Sequence, residues 1–340
     1  MKNVLNLTIL LFLFCNYNNT FANSNLDTPQ SIFDVLHYQE LLEINLKMNI
    51  DSVFMDRKSE QKHPAIFSFK DQNGTVQDWN IKVHLRGKFR RIKCENLPPL
   101  KFDFKKKELE AAGLAKFDDL KLVTYCVNDA EEAKQLLIKE YLVYKMYNEI
   151  TSQSYRVQLV SINYIDTNSG KISSQFGFLI EDTEQLQARL NITKREKAFG
   201  LNKERFNNGQ VKVVALFNYM IGNSDWSIEN NRNIKIMDKS EKFILIPYDF
   251  DFSGFVDASY ATIKSEHGIR TVRDRVYLGF KKDLKNLKSA KRILKKKHPE
   301  FIRIIKNCKW LSSRERRELI RYIDSYFENN DFINLPNPLN

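Results

Sequence analysis

Glycine and proline are scarce in this chain, 11 and 8 among 340 residues. That scarcity excludes collagen-like, linker-like and low-complexity architectures. Histidine is scarcer still: the five at 37, 63, 84, 267 and 298 are scattered, so a histidine-based metal site is not expected. No Gly-x-Ser-x-Gly and no Cys/His arrangement points to a hydrolase. Beyond the N-terminus there is no second long apolar run, which excludes a polytopic membrane protein. What is present is a normal globular mix, 42% hydrophobic and 12% aromatic, enough to bury a sizeable core.

The N-terminus has the parts of a secretory signal. Lys2 precedes a short apolar core from Leu5 to Phe14, and Thr20-Phe21-Ala22 offers small residues where a signal peptidase reads. Residues 1–22 are therefore expected to be removed. The chain is then exported to the periplasm, the cell envelope or the medium, with no transmembrane span in its mature part. Export permits disulfides. Cys94 and Cys126 flank one predicted sheet region and could pair; three buried thiols are the alternative, and Cys308 or another cysteine is left over in any case.

The formal net charge is +12, and it is unevenly spread. Residues 281–322 hold 16 Lys/Arg against 4 Asp/Glu, so all of the excess lies in that basic helical region. Its Leu284, Leu287, Ile293, Leu294, Phe301, Ile304 and Ile305 form an apolar stripe for docking on the body. The remaining cations would face water, where they could meet a polyanion such as acidic protein, anionic lipid or envelope sugar. Nucleic acid is disfavoured, because no recognised binding module accompanies the charge.

Alternating runs predict strands at 42–46, 65–70, 78–85, 100–104, 120–124, 157–165 and 175–180, with a hairpin turn at Asn73-Gly74. Arg86 to Arg91 reads as a basic turn. A helix is predicted over 131–150, with Leu137, Tyr141 and Tyr144 on one stripe and Glu140 at its edge. A second helical stretch, 211–221, stops at Gly222-Asn223. Two short strands, 233–237 and 242–247, follow a polar loop at 224–231. Strands dominate the first half and helices the second. The expected fold class is α+β and two-lobed: an N-terminal lobe over 23–182 and a C-terminal lobe over 183–340. The tail at Pro336 and Pro338 is expected to be loose.

The most informative residues are Gly222, Asn223, Asp225 and Asn230, then Pro247, Tyr248, Asp249 and Asp251. Asp225 and Asn230 lie on one loop, and the hairpin returns Asp249 and Asp251 from a strand end. Carboxylates and an amide oxygen are hard ligands suited to Mg²⁺ or Mn²⁺. An aspartate in such a loop can also orient or deprotonate a hydroxyl.

The order Gly-Asn-x-Asp-x-x-x-x-Asn, then Pro-Tyr-Asp-x-Asp, resembles the CotH-type atypical kinase-like family and, more distantly, the HipA toxin kinases. Arg86-Gly87 followed by Lys101 in Leu100-Lys101-Phe102 matches the family's first-half signature more weakly. The likeness covers roughly residues 78–256. It implies a two-lobed protein-kinase-like fold and transfer of a phosphoryl group from ATP, with Mg²⁺ or Mn²⁺, to a hydroxyl on a protein or envelope acceptor. It further implies roles. Asp225 positions the acceptor, Asn230, Asp249 and Asp251 hold the metal, and Lys101 meets phosphate oxygens with Glu140 holding it. Glu181 and Asp182 end a strand where adenine contacts belong, and Arg86 and Gly87 lie near the phosphates. Departures are the run Lys88-Phe89-Arg90-Arg91 after Arg-Gly, and the extra segment 94–99 before the lysine strand. Two other readings remain: a non-catalytic surface protein that binds polyanions through its basic helices, and a basic metal-dependent nuclease.

Overall fold

The computed structural model describes residues 29–94, 98–194, 201–263 and 265–328. The signal sequence read over 1–22 and the tail at Pro336 and Pro338 lie outside the described residues.

Helix α1 (Ile32–Leu36) leads into β1 (Leu41–Met48), and α2 (Ile50–Met55) into the hairpin of β2 (His63–Lys70) and β3 (Val76–Leu85). The turn between them closes because the Asp71 carboxylate accepts the amides of Asn73 and Thr75, and Gly74 takes φ +79°, which costs glycine little. Then come α3 (Lys88–Lys93), β4 (Leu100–Asp103), α4 (Lys106–Ala111) and β5 (Asp119–Val123). The long helix α5 (Ala130–Ile150) is capped by Asp129, whose side chain accepts the amide of Glu132. Strands β6 (Val157–Asp166) and β7 (Ile172–Ile180) complete the first sheet. After α6 (Thr183–Leu190) and the short β8 (Thr193–Lys194) comes α7 (Asn208–Met220). The hairpin of β9 (Ile234–Lys239) and β10 (Lys242–Pro247) pairs with β8. Helices α8 (Lys288–Asn307) and α9 (Ser313–Glu328) follow.

The first seven strands close into a barrel in the order β1-β2-β3-β4-β5-β7-β6. Every neighbouring pair is antiparallel except the closing one: β6 lies parallel to β1 from Leu41–Leu159 to Met48–Asp166. This is where the expected two-lobed kinase-like architecture fails. β1 is paired along one edge with β2 and along the other with β6, so the strand-rich half is a closed mixed barrel with helices added. Alternating apolar residues specify a strand's two faces, but not its neighbours, and closure depends on the neighbours.

The barrel interior is filled by the alternate residues of its strands, Leu42, Ile44 and Leu46 of β1 among them. Phe67 sits at the centre, its ring 5.5–5.8 Å from those of Phe69, Phe102 and Phe104. Each such fully buried side chain contributes about 1.5–3 kcal/mol. Outside, Val157 and Leu159 of β6 and Phe178 and Ile180 of β7 belong to a second core shared with α5, α7, α8 and α9. Strands β6 and β7 are thus covered on both sides, and α5 joins barrel to helices. The apolar stripe of α8 buries Leu294, Phe301 and Ile305 as expected, whereas Ile293 stays 42% exposed and Ala290 takes the inward place. No helix among the described residues is long and apolar enough to cross a membrane.

Candidate active site

A cleft of about 670 Å³ lies between the mouth of the barrel and the β9–β10 hairpin. Cations from both sides line it. Arg86 leaves the end of β3, where its amide donates to the Pro99 carbonyl (2.8 Å), and Lys121 projects from β5. Lys235 joins them from β9, its Nζ 4.9 Å from the Tyr248 ring centroid. Among the described residues the Arg86 guanidinium makes no hydrogen bond or ion pair; burial lowers its pKa, and the nearby Asp249 pulls it back up. The Lys121 ammonium donates to the Thr183 hydroxyl (3.0 Å) and lies 5.4 Å from the Tyr155 ring centroid. Burial, with Arg86 and Lys235 nearby, pushes it down to about 7.

The acidic part of the lining is Asp225, Asp249, Asp251 and Glu140. A close backbone approach assembles it. The chain leaves α7 through Gly222 at φ +65°, and the carbonyls of Ile221 and Gly222 accept the amides of Phe255 and Gly254 at 2.9 and 3.0 Å. Asn223 is buried there, and its side-chain oxygen accepts the amide of Asp225 (3.0 Å). The Asp225 loop is thereby laid against the 249–254 turn. Asp249 adopts φ +62°, a conformation that costs a non-glycine residue about 1 kcal/mol or more, and its amide is anchored on the Tyr144 hydroxyl at 2.9 Å.

One oxygen from each of Glu140, Asp249 and Asp251 falls within 4.8 Å of the others. Arg90 of α3 balances this cluster. Its guanidinium donates to Glu140 (2.7 Å) and to Asp251 (Nε, 3.1 Å), and Tyr260 adds a hydroxyl bond to Asp251 (3.2 Å). Burial raises Glu140 to about 7, against the pull of Arg90. Burial and then the charge of Asp251 raise Asp249 to about 6. A disulfide joins Cys94, the C-cap of α3, to Cys126, and so ties the Arg90 helix to the segment after β5; Cys308 is free and buried.

No family model matches the chain, and no curated protein matches it.

The structure gathers Asp225, Asp249, Asp251, Glu140, Arg86 and Gly87 into one cleft and leaves out four other expected residues. Lys101 sits directly across from Lys121 in the β4–β5 ladder but is drawn to Asp119 at 2.5 Å. Glu140 accordingly meets Arg90 and not Lys101. Asn230 is exposed at the tip of its loop, and the amide that reaches Asp225 belongs to Asn233, whose Nδ2 donates to Oδ2 at 2.9 Å. Glu181 is buried between Arg156 (2.9 Å) and Arg189 (2.6 Å). Asp182 caps α6 and accepts the amide of Asp119. Neither of these last two lines the cleft. A second acidic group, Asp118, Asp119 and Asp182, spends its charges on Lys106, Lys101 and the α6 cap.

Sequence reasoning missed Lys121, Lys235 and Asn233, and it weighed Arg90 as a phosphate or surface-patch residue where the structure pairs it with Glu140 and Asp251. The signal for Lys121 was Leu120-Lys121-Leu122, a lone cation in an apolar strand, in the same context as Leu100-Lys101-Phe102.

Proposed function

We propose that this cleft binds ATP with Mg²⁺ or Mn²⁺ and transfers the terminal phosphoryl group to a hydroxyl on a protein or envelope acceptor. The observation that carries this reading is the mixed lining: Arg86, Lys121 and Lys235 share one cavity with Asp225, Asp249, Asp251 and Glu140. Polyphosphate oxygens need cations, and a divalent ion needs carboxylates, so both halves of the donor set fit. A histidine-poor, oxygen-only acidic set also suits a hard cation.

When bound, the nucleotide supplies the chemistry: the acceptor oxygen bonds to the γ-phosphorus as the bridging P–O bond breaks, and the diphosphate leaves with that electron pair. The chain's own work is positioning and charge. Arg86 and Lys121 neutralise phosphate oxygens, and Asp249 and Asp251 would hold the metal. Asp225, fixed by the amide of Asn233, orients the acceptor hydroxyl and takes its proton. Apolar Val123 and Ile180 and the rings of Tyr155 and Tyr248 lie at the same end of the cleft as Lys121 and suit a flat base. The Cys94–Cys126 disulfide supports export, since such bonds persist in oxidising compartments.

The test is thermal melting with and without ATP and Mg²⁺ or Mn²⁺. At 100 times the dissociation constant, ATP should add about 2.7 kcal/mol of stability. The gain should vanish with a chelator and in Asp249→Asn. No shift in folded wild-type protein would overturn the reading. The polyanion-binding scaffold remains the second reading, favoured by the exposed Lys288, Lys295 and Lys296 of α8. It expects salt-sensitive binding to polyanions and no response to nucleotide.

A further inference from the structure

A second cavity, of about 780 Å³, opens on the other side of the Asp225 loop. The loop is a tight hairpin. Ser227 and Arg232 exchange backbone hydrogen bonds (3.1 and 3.0 Å), so Glu229 and Asn230 project at its tip. Arg232 at its base lines both cavities, and its guanidinium reaches the Asp225 carboxylate at 3.7 Å. Trp226, 3% exposed, fills the space behind Asp225.

The lining has a definite chemistry. Lys203, Arg232, Lys281 and Lys282 stand against two carboxylates, Glu229 and Glu266. Between the cations lies a half-buried apolar strip, Leu278 and Phe280. The Phe280 ring has the ammonium groups of Lys203 and Lys282 at 5.7 and 6.0 Å from its centroid. Cations bracketing an apolar strip suit a ligand whose carboxylates alternate with apolar side chains.

We propose that this second cavity is the docking site for the acceptor, and that the acceptor is an acidic polypeptide segment with apolar residues beside its carboxylates. The assignment of an acceptor rests on the phosphoryl-transfer reading above. The geometry also couples the two sites. A peptide carboxylate in the second cavity competes for Arg232 and releases Asp225 to face an incoming hydroxyl.

The test uses a fluorescein-labelled decapeptide of Glu, Leu and one central Ser, read by anisotropy. Lys203→Glu/Lys282→Glu reverses two exposed cavity cations. Lys295→Glu/Lys296→Glu makes the same charge change on α8, away from the cavity. The cavity variant should lose at least tenfold in affinity, while the α8 variant stays within about twofold of wild type. Equal losses in both, or none in either, would overturn the proposal. So would cavity-dependent binding of hyaluronate without binding of the peptide. The ATP-dependent melting shift, run on the same proteins, separates the two readings. The cavity variant should keep it. If wild-type protein shows no ATP shift yet binds the peptide through the cavity, phosphoryl transfer fails and the docking site stands.

Discussion

Lys121 is an ammonium held where water solvates it poorly, and that sets its pH behaviour. Its pKa falls from the ordinary lysine value to about 7 in the folded protein. Between pH 7 and 10 the unfolded chain holds a proton that the folded one lacks, so its contribution to stability rises with pH through that window and is least favourable below it. Lys121→Met should therefore stabilise the empty protein most at pH 6. A polyphosphate against Lys121 raises the pKa again, so ATP binding at pH 8 should take up nearly one proton. Calorimetry in buffers of different ionisation heat reads that uptake, and Lys121→Met should remove it. Asp249 has the opposite sign. Its pKa is raised to about 6, so its cost is fully present above pH 6 and gone near pH 4. Asp249→Asn should raise stability by about 1–2 kcal/mol at pH 7.5 and change it little at pH 4, while abolishing the metal-dependent ATP shift. Asp225→Ala should keep the ATP shift and lose transfer by about 10²-fold or more, measured with radiolabelled ATP. The choice between Lys101 and Lys121 could not be read from the sequence. Both are lone lysines between apolar residues on paired strands, and only Asp119 beside Lys101 separates them. The same holds for Asn230 and Asn233. A spacing rule favours the first, but the hairpin closed by Ser227 and Arg232 turns it outward and brings the second to Asp225.

At the scale of elements, the site depends on two constraints that hold unlike segments together. The first is the Gly222 crossing. A Cβ there would fall 2.1 Å from the Tyr322 hydroxyl of α9, at a φ that disfavours any side chain. Gly222→Ala should cost about 2 kcal/mol or more and lower transfer with stability, because the Asp225 loop and the 249–254 turn separate together. The second is the disulfide at the end of α3. Cys126→Ser should cost about 2–4 kcal/mol in a denaturant titration and weaken the Arg90 clamp on Glu140 and Asp251. Strands with clean alternation, such as β1 and β3, were legible in sequence, as were α5 and the β9–β10 hairpin. Helix α3 was not: Lys88–Lys93 has no apolar stripe and reads as a basic turn. It forms where Arg90 is drawn to a buried acid pair and Cys94 is bonded.

At the scale of the molecule, the barrel and the helical layer share β6 and β7, and the cleft opens at their junction. The helical half was legible because α8 and α9 carry strong apolar stripes and α7 is a mostly apolar run, buried from Val211 to Met220. Barrel closure was not, because the pairing of β1 with β6 joins segments whose local patterns carry no information about each other.

That closing seam has a consequence for biosynthesis. Leu41 must wait for Leu159 before the barrel can exist, and each strand between them has to be in register first. Contacts so distant along the chain form slowly and late. A polypeptide emerging from a ribosome cannot close this barrel until β7, which follows β6 in the chain but stands between β5 and β6 in the sheet, has also been delivered.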